Sequence, residues 1–243
     1  MNDQIIWQNI RVSPCETFHL YNGKPLYSQR YCHVMKYHNP GLASAKNDVH
    51  AFHVNIKGLP AYSNRFIETF GFYEYLAAVK NEEGWFHITP KGKAIYSTRY
   101  KWCGNFQEGF CPVKDQIGYY FHINSEGKKS YLEKYNYVGD FKEGIAVVCN
   151  ELGLHTHIDY KGNFIHEKWF IDLDVFHKGF ARAKNEEGWL HINKNGKPIY
   201  DELYLMIEPF YNGIARVETK YKELLLITQS GDKVCTLRKA FKR

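Results

Sequence analysis

Short apolar runs alternate with polar turns at a fixed interval along this chain, and no stretch holds the 3.6-residue apolar spacing of a long helix. In Trp189–Asn193, Leu190 and Ile192 point one way, and Trp189, His191 and Asn193 the other. In Phe180–Lys184, Ala181 and Ala183 share a face; in Ile214–Glu218, Ala215 and Val217 do. Gly144–Asn150 is β-rich and apolar on both faces, so both of its sides are expected to be covered. Polar turns such as Asn185–Gly188 and Lys194–Lys197 separate these runs, the second with an Asn-Gly pair that accepts positive φ. The pattern predicts successive β-hairpins, with a further strand over Ile5–Val12 cut by Pro14.

The hairpins repeat. Asn81–Tyr96 (NEEGWFHITPKGKAIY) and Asn185–Tyr200 (NEEGWLHINKNGKPIY) are near-twins. Their histidine recurs at His19, His53, His87, His122, His157 and His191, in steps of 34 or 35 residues, and one more step reaches Leu226. A glycine follows each of these seven positions within five residues. Next come a Tyr or His (Tyr27, Tyr62, Tyr96, Tyr131, His166, Tyr200) and a second aromatic four residues on, then a Phe-x-x-Gly-x-Ala motif, clearest at Phe141–Ala146, Phe176–Ala181 and Phe210–Ala215. Series that keep one register over a whole chain mark a repeat architecture. The expectation is an all-β fold of tandem β-hairpin repeats of 34–35 residues in a β-solenoid-like array, with a closed β-propeller-like ring as the alternative. A four-stranded blade usually needs ~40 residues, which favours the solenoid. The chain reads as one domain over 1–243. Residues 1–16 form an N-terminal cap, 17–223 six repeats, and 224–243 a degenerate seventh repeat with a basic tail.

Hydrophobic residues make up 44% of the chain, enough for a continuous core, and the formal charge of +6 is too mild to demand a nucleic-acid partner. The start of the chain lacks the pattern of a signal peptide, and no apolar run reaches the ~20 residues of a membrane-spanning helix. A cytoplasmic protein, monomeric and free of membrane, is expected. Cys15, Cys32, Cys103, Cys111, Cys149 and Cys235 include no C-x-x-C pair and are read as reduced thiols; Cys111 replaces a repeat alanine and should be buried.

The unit resembles the WG-repeat (KWG-repeat) family over about residues 17–231. The resemblance is carried best by Phe141–Val148 with His157-Ile158-Asp159 and Gly162, and by Phe176–Ala181 with Gly188-Trp189 to Gly196. The chain departs from that pattern where the usual Tyr-Ile-Asp becomes His-Ile-Asn, His-Ile-Thr or His-Ile-Asp. The resemblance implies a β-repeat array serving as a binding module or appendage, with no common activity.

Two kinds of chemistry are suggested. The histidine series reads first as structural rungs, since a feature repeated in every unit belongs to the fold. The fifth repeat is richer: His155 and His157 form an H-x-H pair on one strand face, His166 replaces the repeat tyrosine, and His177 follows Phe176. His155, His157 and His166 are candidate ligands for a divalent transition metal, and through it for a hydrolase or lyase activity. No phosphate loop, G-x-S-x-G motif or other catalytic set is present, so a non-enzymatic scaffold is expected. Its partner would be a protein or other polymer, with no cofactor. The side chains that depart from the repeat are the expected binding residues: Trp102, Trp169, Asp172, Asp174 and His177.

Overall fold

The computed structural model describes residues 5–240. Apart from one 3-10 turn at Trp7–Asn9, every element is a β-strand, and every strand pairing is antiparallel. This is the expected all-β tandem array. The expected strand over Ile5–Val12 is shorter: Trp7–Asn9 coils, and Arg11–Val12 alone pairs, with His19–Leu20.

The backbone gathers into two compact units, residues 1–129 and 130–243. Four three-stranded sheets lie in the first unit, the last three spanning 33–54, 68–88 and 102–124. The second unit holds two three-stranded sheets, over 137–158 and 172–193, and a four-stranded sheet over 206–238. Each predicted hairpin gains a preceding strand, often only two residues long, such as Asp172–Leu173 or Met206–Ile207. Among the described residues no helix is long and apolar enough to cross a membrane.

The Phe-x-x-Gly motif builds the first turn of the last four sheets. In Phe106-Gln107-Glu108-Gly109 the phenylalanine is buried, and Gln107 exchanges two backbone hydrogen bonds with Phe110 (2.8 and 3.1 Å). The two residues between them have φ of 54° and 80°, the type I′ geometry that matches strand twist and places Gly second. The alanines that follow lie under the neighbouring sheet: Ala146, Ala181 and Ala215 are buried.

From the second repeat on, the glycine after the histidine has two constraints. Gly162 sits at φ 82°, and a Cβ there would stand 2.7 Å from Cβ of Tyr131, the tyrosine of the preceding repeat. The glycine and tyrosine series are thus two halves of one contact. The sheet over 206–238 differs because the degenerate seventh repeat adds a strand, Lys233–Arg238, whose side chains are mostly exposed. Arg238, expected in a solvated tail, closes that strand with an ion pair to Glu218 at 2.8 Å.

Candidate functional site

The recurring histidine is buried in every repeat. In four repeats it accepts a hydrogen bond from a tyrosine hydroxyl at Nδ1: His19 from Tyr27, His53 from Tyr62, His87 from Tyr96 and His191 from Tyr200. Its Nε2 points at a backbone carbonyl of the next sheet: Met35 (2.8 Å), Phe70 (2.7 Å), Gly104 (3.0 Å) and Glu208 (2.9 Å). A carbonyl only accepts, so Nε2 carries the proton and Nδ1 the lone pair. One ring face packs on the aromatic of the next repeat's Phe-x-x-Gly motif, His53 on Phe72 and His191 on Phe210, with centroids 4.5 and 4.1 Å apart. Each imidazole is therefore a neutral clip between adjacent sheets. Burial holds the pKa of His53, His87, His157 and His191 down at about 4.

The fifth repeat keeps the clip with different chemistry. His157 Nε2 donates to the Asp174 carbonyl at 2.8 Å, so the His166 ring must donate to His157 Nδ1, at 2.9 Å. His166 Nδ1 in turn accepts the Lys168 N–H at 3.3 Å. His155, two residues along, donates through Nδ1 to the Ile171 carbonyl at 3.1 Å. The structure thus joins His157 and His166, two of the three candidate metal ligands, directly to each other. Both nitrogens of each ring are occupied, and His155 is anchored separately. Among the described residues no group of three or more His, Cys, Asp or Glu side chains is placed to hold a metal ion.

The candidate binding residues are scattered. Trp102, in the first unit, packs edge-on to Tyr120 and is partly exposed. Trp169 is partly exposed, its ring edge-on to Phe164 at 5.5 Å. Asp172 is exposed and accepts the Leu173 N–H, while Asp174 pairs with Arg182 at 2.5 Å as well as receiving His157 on its carbonyl. His177 sits at the type I′ turn, its backbone paired with Phe180.

Two further features were not drawn from the sequence. The turns between the second and third strands of the sheets carry a large apolar side chain in four repeats: Val49, Ile117, Leu152 and Tyr221, between 68% and 83% exposed. In two other repeats the same turns carry Glu82-Glu83 and Glu186-Glu187. In the first three repeats an arginine (Arg30, Arg65, Arg99) closes the loop after the repeat tyrosine onto three successive carbonyls. Both lie in the repeat alignment, visible once positions are counted from the histidine. All six cysteines are free, with Cys103, Cys111 and Cys149 buried.

No curated protein matches the chain in sequence. Among solved structures it is similar to the computationally designed Ika8 protein, at 11% identity over 94% of this chain and 83% of that one, with a TM-score of 0.51. It is also similar to BamB from Moraxella catarrhalis (8% identity, 92% and 77% covered, TM-score 0.47) and to the WD40 beta propeller domain of Doa1 (10%, 85% and 85%, TM-score 0.38). At 11% identity the likeness to the designed protein is one of fold. Residues 88–116, 123–151 and 192–222 match the model of the WG containing repeat. Those three stretches carry the WG repeat, and they lie in one register with the remaining copies of the motif.

Proposed function

We propose that this chain is a non-enzymatic binding module that presents the variable turns and loops of its repeats to a protein or other polymeric partner. One observation carries this reading. The polar chemistry shared by the repeats is used up inside the fold, His19, His53, His87, His157 and His191 each held on both ring nitrogens, while the exposed turns differ from repeat to repeat. Large apolar side chains at those turns, more than two-thirds exposed at Val49, Ile117, Leu152 and Tyr221, suit a partner surface. Trp102, Trp169, Asp172 and His177 add departures from the repeat that are at least partly exposed.

The test is affinity capture with cross-linking mass spectrometry, wild type against I117S/L152S and W169A/H177A. Loss of a cross-linked partner by at least one variant, with unfolding temperature unchanged, is the expected result. Full capture by both variants would remove the reading.

A further inference from the structure

The near-twin repeats 81–100 and 185–204 end in the same kind of loop but differ in its last residues, above all where Arg99 gives way to Leu203. In the first copy Arg99 closes the loop, its guanidinium Nη1 reaching the carbonyls of Tyr96 (3.5 Å), Ser97 (2.9 Å) and Thr98 (3.2 Å). Its Nε lies 3.5 Å from the Glu83 carboxylate, and its guanidinium carbon 3.7 Å above the Phe86 ring. Arg65 makes the same three carbonyl contacts at 2.9–3.0 Å over Phe52, and Arg30 at 2.8–3.1 Å over Phe18. The fold therefore builds a guanidinium seat in each of three repeats: three convergent carbonyls, closed in one of them by a carboxylate.

In the second copy the arginine is Leu203. Its place is the same, for a Cβ on Gly188 would stand 3.5 Å from Leu203 Cβ, as one on Gly84 would from Arg99 Cβ. The carbonyl edge of the seat remains and is more acidic, while its aromatic floor, Phe86 in the first copy, is Leu190 here, in the core cluster on which Leu203 packs. Glu187 stands where Glu83 does, and the two residues before Leu203 are Asp201 and Glu202, where the first copy has Ser97 and Thr98. None of these three carboxylates has an ion-pair partner among the described residues. No protein donor among them reaches the carbonyls of Tyr200, Asp201 or Glu202. Glu187, the loop 201–205 and, from the next turn, Thr219, Lys220, Tyr221 and Glu223 line a groove of about 610 Å³. Tyr221 and Leu205, 68% and 44% exposed, give it apolar edges.

We propose that this groove docks an arginine-bearing extended segment of a protein partner, whose guanidinium takes the seat that Arg30, Arg65 and Arg99 fill from within. The assignment rests on the binding-module reading and names its partner chemistry. The charge fits: the chain as a whole is basic at +6, yet the groove is lined by Glu187, Asp201, Glu202 and Glu223 against one lysine, Lys220. The leucine leaves the seat without its own cation, and the flanking apolar side chains suit residues on either side of the arginine.

The probe is a capped nonapeptide with one central arginine between leucine and tyrosine, and its citrulline counterpart, titrated into the isotope-labelled full chain by NMR. The arginine peptide should shift amides of 187, 201–205 and 219–223, and the neutral citrulline peptide should bind at least tenfold more weakly. L203R, which supplies the guanidinium internally, should abolish binding, and D201N/E202Q should weaken it tenfold or more. Binding unchanged in L203R or in D201N/E202Q, or an absence of shifts in the groove, would overturn the proposal. If L203R leaves partner capture intact while I117S/L152S loses it, the groove assignment falls and the binding-module reading stands.

Discussion

At the residue scale, the histidine clip decides what each repeat tolerates. His191 satisfies two groups that are otherwise buried without partners, the Tyr200 hydroxyl at 2.5 Å and the Glu208 carbonyl at 2.9 Å. The seventh copy has Leu226 at this position, so a leucine of similar bulk suits the strand there. His191→Leu keeps the bulk but orphans both polar groups, at roughly 1–3 kcal/mol each. The expected loss of stability is about 3 kcal/mol by urea denaturation. Tyr200→Phe, which orphans only the histidine Nδ1, should cost about half as much. Equal costs would mean that the Nε2–carbonyl bond contributes little. In the fifth repeat His166 has replaced the tyrosine without breaking the arrangement, because the Lys168 N–H fixes its tautomer as a donor toward His157.

At the scale of the element, the two-residue turn is the most demanding piece. Glu74-Tyr75 occupies it with φ of 48° and 65°, where other repeats place Gly second. Left-handed backbone costs a non-glycine residue roughly 1–2 kcal/mol. Tyr75 is 55% exposed, so its side chain offsets little of that. Tyr75→Gly should therefore raise stability by about 1 kcal/mol, measured as a higher urea midpoint at unchanged slope. Tyr75→Ala should not, since alanine carries the same strain; an equal gain from both would place the cause in the tyrosine side chain. This element also shows what was legible beforehand. The Phe, Gly, His and Tyr series could be read because each repeat enforces them by the same contact, as in Gly162 against Tyr131. Two-residue strands such as Tyr137–Val138 and Asp172–Leu173 are too short to show alternation, so their pairing was not visible. Ile5–Val12 has strand-like residues, but most of them find no ladder partner, and Trp7–Asn9 coils instead. For the candidate site, His155 and His166 stand out in the sequence as departures from the repeat, beside the repeat histidine His157. Their roles depended on a carbonyl 17 residues ahead of His157 and on an N–H beside His166, which spacing alone does not reveal. The loss of the guanidinium was readable in principle, as the change from Arg99 to Leu203 between two near-twins, but it gains meaning only from the contacts of Arg99.

For the whole molecule, the neutral clips make stability depend steeply on pH. In the unfolded chain a histidine takes up a proton near pH 6.5; in the fold His53, His87, His157 and His191 resist until about pH 4, because burial disfavours the charged ring. Protonation would also put an N–H where the tyrosine hydroxyl or the His166 N–H already donates. The unfolded state thus binds more protons below pH 6.5, and stability must fall as pH drops through that value, levelling only near pH 4. A difference of about 2.5 in pKa is worth about 3 kcal/mol per histidine at the acid end, so four clips together remove on the order of 10 kcal/mol. That is comparable to the entire stability of an ordinary domain, roughly 5–15 kcal/mol. His19, His38 and His166 are depressed in the same direction by burial, whereas Asp140, whose burial raises its carboxyl, opposes them as a single group. The chain should therefore unfold between about pH 6 and 4 with uptake of several protons, seen as a urea midpoint that is constant above pH 7 and falls progressively steeper below 6.5. A midpoint that holds from pH 7 to 5 would show that the buried imidazoles are not neutral clips, and would remove the tautomer assignment on which the reading of every repeat depends.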